Sequence, residues 1–195
     1  MTPDVLRIDH PDLPRRLEAA LETGGIVIFP TDTIYGIGGN PWDQSVLERV
    51  RRLKERSADR PFTLHLPSVS AVAEFARLDG VAQRRVERLL PGPFTFLLPA
   101  KPTAPESAVL DGIVGIRVPD HPFFESVLAP IDRSLFGTSV NRSGERPLRE
   151  IDDILDRFPS VDLVIVGSVG TGESTILDLT SEPPRLVRGT LPDGL

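Results

Sequence analysis

Four apolar residues in a row, Ile26-Val27-Ile28-Phe29, follow Gly24-Gly25 and run straight into Pro30-Thr31-Asp32-Thr33-Ile34-Tyr35-Gly36. Entry through glycines and an unbroken β-favouring run read as a buried strand. Hydroxyls, a carboxylate and the only tyrosine of the chain then gather just past that strand's carboxyl end. In open α/β sheets this is the edge where ligands bind. A plainer reading is a turn, with Pro30 and Gly36 as punctuation and Asp32 as an acceptor for nearby backbone.

The remaining segments alternate between helical and strand patterns. Asp12 is placed to cap a helix carrying Leu13, Leu17 and Leu21 on one face, with Pro14 in its first turn and Gly24 at its end. Asp43 is placed to cap a second, striped by Val46, Leu47, Val50 and Leu53. Arg51, Lys54 and Arg56 fall off that stripe, so their heads are expected to reach solvent or a ligand. Phe62-Thr63-Leu64-His65-Leu66 alternates strictly, which sets Thr63 and His65 on the face opposite the apolar three. A buried, hydrogen-bonded histidine is the ordinary reading of His65. Helical patterns at 69–77 and 81–90, broken at Asp79-Gly80, precede strand Phe94 to Leu98, and the proline-rich 99–107 reads as a surface loop.

Strand Ile113 to Val118 carries Arg117 among apolar neighbours. An unpaired charge there would cost several kcal/mol, so Arg117 requires an anion, either an internal carboxylate or a substrate group. The strand near Leu135 to Val140 repeats the pattern of residues 26–36 by running into Asn141-Arg142-Ser143-Gly144. Ser139, Asn141 and Ser143 offer hydrogen bonds to phosphate, ribose or a purine edge, although turn chemistry accounts for them too. A helix from Glu150 to Phe158, a strand from Val161 to Val166, a glycine-rich loop Gly167 to Glu173, a strand Ser174 to Leu179 and a last strand ending at Arg188-Gly189 complete the pattern. The loop has neither the lysine of a P-loop nor dinucleotide-fingerprint spacing.

Composition bounds the functions open to such a chain. Its 195 residues, 39% hydrophobic, suffice for one core, and a single domain over 1–195 is expected. No apolar run approaches the roughly 20 residues of a membrane span, and Met1-Thr2-Pro3-Asp4 does not open a signal peptide. A soluble, cytoplasmic protein without membrane association is the expectation. With no cysteine there is no disulfide or thiolate chemistry, and His10, His65 and His121 are too scattered for a metal motif. A net charge of −6 argues against coating nucleic acid. Yet Arg49, Arg51, Arg52, Lys54, Arg56 and Arg60 face only Glu55 and Asp59, a local +4 within that total. The run reads as a solvated helix face or as an anion site.

Six ordered segments together carry a family resemblance: Pro30 to Gly36, Lys54-Glu55-Arg56, Pro91-Gly92-Pro93-Phe94-Thr95, Gly115-Ile116-Arg117-Val118-Pro119, Thr138 to Gly144, and Ser174-Thr175-Ile176-Leu177-Asp178. Over about Leu13 to Arg188 the chain resembles the YrdC-like threonylcarbamoyl-AMP synthases. The resemblance implies a twisted, mixed α/β sheet flanked by helices around a concave, positively charged cavity. It implies a nucleotidyltransferase that joins L-threonine, bicarbonate or CO2, and ATP into threonylcarbamoyl-AMP and pyrophosphate, for threonylcarbamoyladenosine modification of tRNA.

By the same resemblance, Lys54 and Arg56 are the catalytic pair, and Thr33, His65, Arg117 and Ser174 hold L-threonine. Arg56, Arg60, Ser139, Asn141, Arg149 and Arg188 hold ATP, while Asp32 and Tyr35 wall the pocket, Asp32 mainly as a support for its loop. Mg2+ would accompany ATP, with no dedicated protein metal site, and tRNA or a downstream threonylcarbamoyl-transferase protein is a possible partner. Arg60 replaces a frequent lysine, Ser57 a frequent proline and Val140 a frequent alanine. By the same resemblance, the additional carboxyl-terminal domain of longer members is not expected. Two alternatives stay open: a noncatalytic module binding tRNA or double-stranded RNA, and a YrdC-like paralogue without synthase activity.

Overall fold

A computed structural model of the chain describes residues 2–57 and 60–192. Asp59 of the charge run, Ala58, Met1 and residues 193–195 lie outside the described residues. The strands are β1 (Asp4–Arg7), β2 (Val27–Phe29), β3 (Gly36–Gly39), β4 (Thr63–His65), β5 (Phe94–Pro99), β6 (Val109–Leu110), β7 (Ile113–Arg117), β8 (Leu135–Ser139), β9 (Leu163–Val166), β10 (Thr175–Asp178) and β11 (Arg185–Arg188). The helices are α1 (Leu13–Glu22), α2 (Gln44–Lys54), α3 (Val72–Phe75), α4 (Gly80–Leu89) and α5 (Ile151–Arg157), with a 3-10 turn at Glu106–Ala108 and a π-helical turn at Phe124–Leu128.

Local chemistry explains most of these boundaries. The Asp43 carboxylate accepts from the amides of Ser45 and Val46 at the start of α2. Asp79 does the same for Val81 and Ala82, so Asp79-Gly80 opens α4 where a break was expected. The preceding helical pattern ends earlier, at Ala76, whose extended backbone bridges to Ala100. Asp12 does occupy the end of α1, but its side chain makes no capping bond. The 99–107 loop also departs from expectation, because Pro99 belongs to β5 and the 3-10 turn begins at Glu106.

The sheet order is β1-β9-β2-β3-β8-β4-β7-β5-β10-β11, with β6 paired to β7 off this path. Parallel and antiparallel neighbours mix: β4 runs parallel to β7 and β5 to β10, whereas β8 pairs antiparallel with both β3 and β4. One face is covered by helices along its length. There Val46, Val50 and Ile154 of α2 and α5 pack on Ile28, Ile37, Phe136 and Val164. Val72, Phe75 and Val86 of α3 and α4 pack on Leu64, Phe96, Ile116 and Leu177. The other face is covered only in part, by α1 and the π-helical turn over Val27, Phe29, Leu135 and Leu163. A cavity opens where that second cover stops.

Strand β3 has the sequence Gly-Ile-Gly-Gly, which carries no strand propensity. Its glycines are there for clearance. A Cβ on Gly38 would fall 1.7 Å from the Phe136 carbonyl oxygen, and one on Gly36 would fall 2.7 Å from the Phe29 ring. Bare backbone lets β3 sit between β2 and β8 in the middle of the sheet. Gly38→Ala is expected to destabilise the protein by about 3 kcal/mol, since the clash is with backbone and cannot relax by rotamer change; urea denaturation measures this.

Candidate functional site

Strand alternation builds the floor of the cavity. Thr63 and His65 of β4, Thr95 and Leu97 of β5, Ile113, Gly115 and Arg117 of β7, Gly137 and Ser139 of β8, and Ile176 of β10 all line a space of about 500 Å³. This volume lies within the range of small-ligand sites. Lys54, Arg56, Arg60, Arg117 and Arg188 contribute five cationic side chains to the lining, against the carboxylates of Asp111 and Glu173.

At one end lies the turn that follows β2. The Thr31 hydroxyl donates to the Ile34 carbonyl at 2.7 Å and accepts from the amides of Thr33 and Ile34, each at 3.2 Å. One hydroxyl therefore organises the turn. Thr31 lines the cavity and Thr33 is not among the lining residues, though both are buried, at 1% and 3% exposure, with their hydroxyls 3.0 Å apart. The turn that carries them is itself covered.

The cover is the loop 167–173. Tyr35 Oη donates to the Gly167 carbonyl at 2.6 Å and receives the Gly167 amide at 3.2 Å. His121 Nε2 donates to the Ser168 carbonyl at 2.9 Å, and its Nδ1 accepts from the Phe123 amide at 3.1 Å. Burial lowers the His121 pKa, in keeping with this neutral tautomer. Arg149 donates to the Thr171 carbonyl. It is exposed and lies off the cavity lining, so it acts on this loop from outside. Gly170 rests against the turn, and a Cβ there would come 2.3 Å from the Asp32 carbonyl oxygen.

Arg117 finds the internal anion it requires in Asp32, whose Oδ1 accepts from Nη2. The Arg117 side chain is buried at 6% exposure and that of Asp32 is mostly covered at 11%. Asp32 therefore holds Arg117 from behind and does not itself form the cavity surface; Tyr35 does. Asp32 Oδ2 and Arg117 Nε are buried without a hydrogen-bond partner among the described residues. His65, beside Arg117 in register, packs its ring against Phe29 and Phe124. Burial, with the Arg117 charge adding to it, pushes its pKa down to about 3, so the imidazole is neutral. Its Nδ1 lies 3.1 Å from the Thr63 carbonyl oxygen and must donate to it, which makes Nε2 the acceptor.

Toward the other side, Lys54 turns to the cavity and not to open solvent. It ends α2 only 2% exposed, and its ammonium donates to the carbonyls of Ser139 and Asn141 and, at 3.3 Å, to Asn141 Oδ1. Burial and then the nearby Arg56 guanidinium lower its pKa to about 7. Asn141 has little hydrogen-bonding capacity left, because Oδ1 also accepts from Ser139 Oγ at 2.5 Å and Nδ2 donates to the carbonyls of Arg142 and Glu145. Arg56 folds over the Phe62 ring, 5.3 Å from its centroid, and donates to the Pro61 carbonyl at 2.8 Å. Arg60 lines the same rim and is exposed. Across the floor, Arg188 binds Ser174 Oγ at 3.1 Å and Glu173 at 3.1 Å, while Ser174 Oγ lies 2.9 Å from Thr95 Oγ1.

Thr31, Phe62, Thr95 and Asp111 are cavity residues that sequence reasoning did not single out. Thr31 and Thr95 lie inside the quoted segments, so the signal was present without a way to tell which hydroxyl faces inward. No group of three His, Cys, Asp or Glu side chains among the described residues could hold a metal ion. No helix among them is long and apolar enough to cross a membrane.

This arrangement defines an α/β protein built around a cationic, hydroxyl-lined hollow on the uncovered face of a mixed sheet. Residues 19–190 match the Sua5/YciO/YrdC family model, described as telomere recombination, and the chain belongs to that family. It is 31% identical over 191 residues to the uncharacterized protein YciO of Escherichia coli K12, covering 92% of each chain. The crystal structure of E. coli YciO superposes with a TM-score of 0.85 at 28% identity, over 96% of this chain and 95% of that one. Human threonylcarbamoyl-AMP synthase is 31% identical over 174 residues, 85% of this chain but 62% of its own length. Pyrococcus abyssi Sua5, solved in complex with L-threonine, gives a TM-score of 0.84 at 28% identity over 96% of this chain and 57% of its own.

Tyr35→Phe removes both bonds to Gly167 and is expected to cost about 1 kcal/mol. Amide exchange in residues 168–173 should accelerate while exchange in β4 and β7 stays unchanged, a contrast that hydrogen–deuterium exchange resolves.

Proposed function

We propose that this protein is a threonylcarbamoyl-AMP synthase, which forms L-threonylcarbamoyladenylate and pyrophosphate from L-threonine, bicarbonate or CO2, and ATP. The observation that carries this reading is convergence: all six sequence segments of the family resemblance contribute side chains to one cavity of about 500 Å³. Relatives named as threonylcarbamoyl-AMP synthases support it at about 30% identity. YciO, similar over almost its whole length, is the reason to test activity directly.

The chemistry asks for positioning and charge neutralisation more than for a covalent nucleophile. Threonine lies at the Thr31 end, its carboxylate toward Arg117 and its polar groups toward His65 Nε2 and Ser174. Its amine takes up CO2 as a carbamate, releasing a proton, and a carbamate oxygen attacks the α-phosphorus of ATP as the bond to pyrophosphate breaks. Lys54, Arg56 and Arg60 neutralise phosphate charge, with Ser139, Arg149 and Arg188 supporting the site, Arg149 through the 167–173 loop. Asn141 serves by holding Lys54 and Ser139 in place.

Mg2+ suits this cavity as a phosphate-borne ion that retains waters, since the lining offers only the Asp111 and Glu173 carboxylates and scattered hydroxyls. Bound there it would supply charge neutralisation at the phosphate oxygens. The product's use in tRNA modification, through tRNA or a transferase protein, and a cytoplasmic location belong to the same reading.

Incubation with ATP, L-threonine and bicarbonate should release pyrophosphate only when threonine is present. Absence of threonine-dependent release, alongside salt-sensitive RNA binding, would point to the RNA-binding module. Lys54→Ala and Arg56→Ala should each slow release at least about a hundredfold without loss of the folded circular dichroism spectrum. A pH test uses the Lys54 pKa of about 7. Triphosphate binding raises that pKa, so ATP binding takes up a proton and weakens as pH rises above about 7. Lys54→Arg stays charged and should lose that proton uptake, read by calorimetry in buffers of different ionisation enthalpy.

A further inference from the structure

A groove separate from the cavity lies at the other end of the same strands. Gly36, Thr63 and Ser139 line the cavity at one end of β3, β4 and β8, whereas Asn40, Pro67 and Ser134, just beyond the opposite ends, line a space of about 750 Å³. The two hollows share no lining residue. Trp42, the only tryptophan of the chain, stands in this groove at 57% exposure, more than any other large apolar side chain among the described residues. Its ring lies 6.1 Å from that of buried Phe75. Its backbone is tied down on both sides: the Trp42 amide donates to Asn40 Oδ1 at 3.1 Å, the Pro41 carbonyl accepts from Ser107 Oγ at 2.9 Å, and Asp43 caps α2. An aromatic ring fixed in this way and left bare loses little freedom when a partner covers it.

The charge of the groove is the reverse of the cavity's. Glu22, Glu74 and Asp132 line it against Arg133 alone. Arg133 is itself engaged by Glu18 and Glu22 of α1, at 3.4 and 3.5 Å. The carboxylates of Glu74 and Asp132, both exposed residues, have no hydrogen-bond or ion-pair partner among the described residues. Asp132 leaves from a set turn, with φ of 49° and its amide bonded to the Ala129 carbonyl at 3.0 Å. Two unpaired carboxylates beside a bare indole attract a cation, one through N–H bonds and the other through the ring face. They repel phosphate, which sets this groove against nucleic acid. A guanidinium meets both demands better than an ammonium, since its plane stacks on the indole while its edge donates to carboxylates. Leu21, Pro67 and Phe75 offer apolar cover to the methylene stem behind it. The volume exceeds that of one side chain and leaves room for flanking residues of a polypeptide.

We propose that this groove docks an arginine-bearing segment of a partner protein, with the guanidinium stacked on Trp42 and the carboxylates of Glu74 and Asp132 accepting its N–H groups. The surface lies outside the cavity, so the inference goes beyond the synthase reading and does not depend on it.

Trp42 is its own reporter, because no other tryptophan contributes to the emission. The probe is the peptide acetyl-Gly-Arg-Gly-Arg-Gly-amide, which should change that emission saturably with a Kd below about 1 mM. The same peptide with citrulline in place of arginine should bind about tenfold more weakly. Glu74→Gln and Asp132→Asn, the latter suited to the left-handed backbone, should each weaken the arginine peptide about threefold. Trp42→Ala, followed by amide chemical shifts of residues 71–75, should weaken it about fivefold, and the two carboxylate variants carry the test if this one loses its fold. Excess tripolyphosphate should leave peptide binding unchanged. No saturable change, equal binding of the citrulline peptide, unaltered affinity in the folded variants, or displacement by tripolyphosphate overturns the proposal. Spermidine binding as tightly as the peptide would make this a site for small cations, and self-association abolished by Trp42→Ala would make the occupant a second copy; either result also overturns it. Threonine-dependent pyrophosphate release without peptide binding defeats only this inference, and peptide binding without release defeats only the synthase.

Discussion

The Lys54 ammonium is the interaction on which the layout of the cavity depends. It closes α2 by donating to carbonyls at the end of β8 and just past it, and the Ser143 amide returns a bond to the Lys54 carbonyl. A helix end and a strand end are thereby locked together at the cavity's edge. No carboxylate balances this cation among its hydrogen-bond partners; it is solvated by carbonyl dipoles, and burial lowers its pKa to about 7. A buried charge held this way is costly to the fold. The cost is intelligible if an anionic ligand completes the coordination.

Arg117 represents the opposite solution to the same problem. Its charge is met inside the protein by Asp32, on the turn after β2, and the turn is in turn covered by the 167–173 loop through Tyr35, His121 and Arg149. Four parts of the chain distant in sequence therefore meet around one guanidinium. Neutral histidines take part on both sides of it: His121 fastens the loop, and His65 lines the cavity. Their burial keeps both imidazoles uncharged where a second cation would compete with Arg117.

Most of the sheet was legible in the sequence because its central strands are apolar runs with turn residues at their ends. β2, β4, β5, β7, β8, β9 and β10 fall where those runs fall, give or take a residue or two. β3 escaped because Gly-Ile-Gly-Gly has no periodicity, and its reason for being a strand lies in the carbonyl of Phe136 and the ring of Phe29. β1 escaped because a short edge strand, alternating between exposed and half-buried positions beside β9, carries no strong apolar signal. Within the site, the segments were readable but the facing of each side chain was not. Thr31 and Thr33 are chemically alike and two residues apart, yet one is the hub of the turn at the cavity and the other lies under a loop that arrives from more than a hundred residues away. Lys54 read as a head reaching either solvent or a ligand, and its near-complete burial was not legible because the carbonyls that receive it belong to another part of the chain.

Sequence alone determined the alternation of strands and helices, the capping of α2, the demand of Arg117 for an anion and the membership of six segments in one pattern. These follow from local propensity, periodicity and the cost of burying charge, which act over a few residues. Tertiary structure decided which anion meets Arg117, which threonine lines the cavity and how the glycines of β3 enter the sheet. Each of those depends on contacts between distant parts of the chain. The clearance, burial and orientation that govern them exist only once the sheet has closed around the cavity.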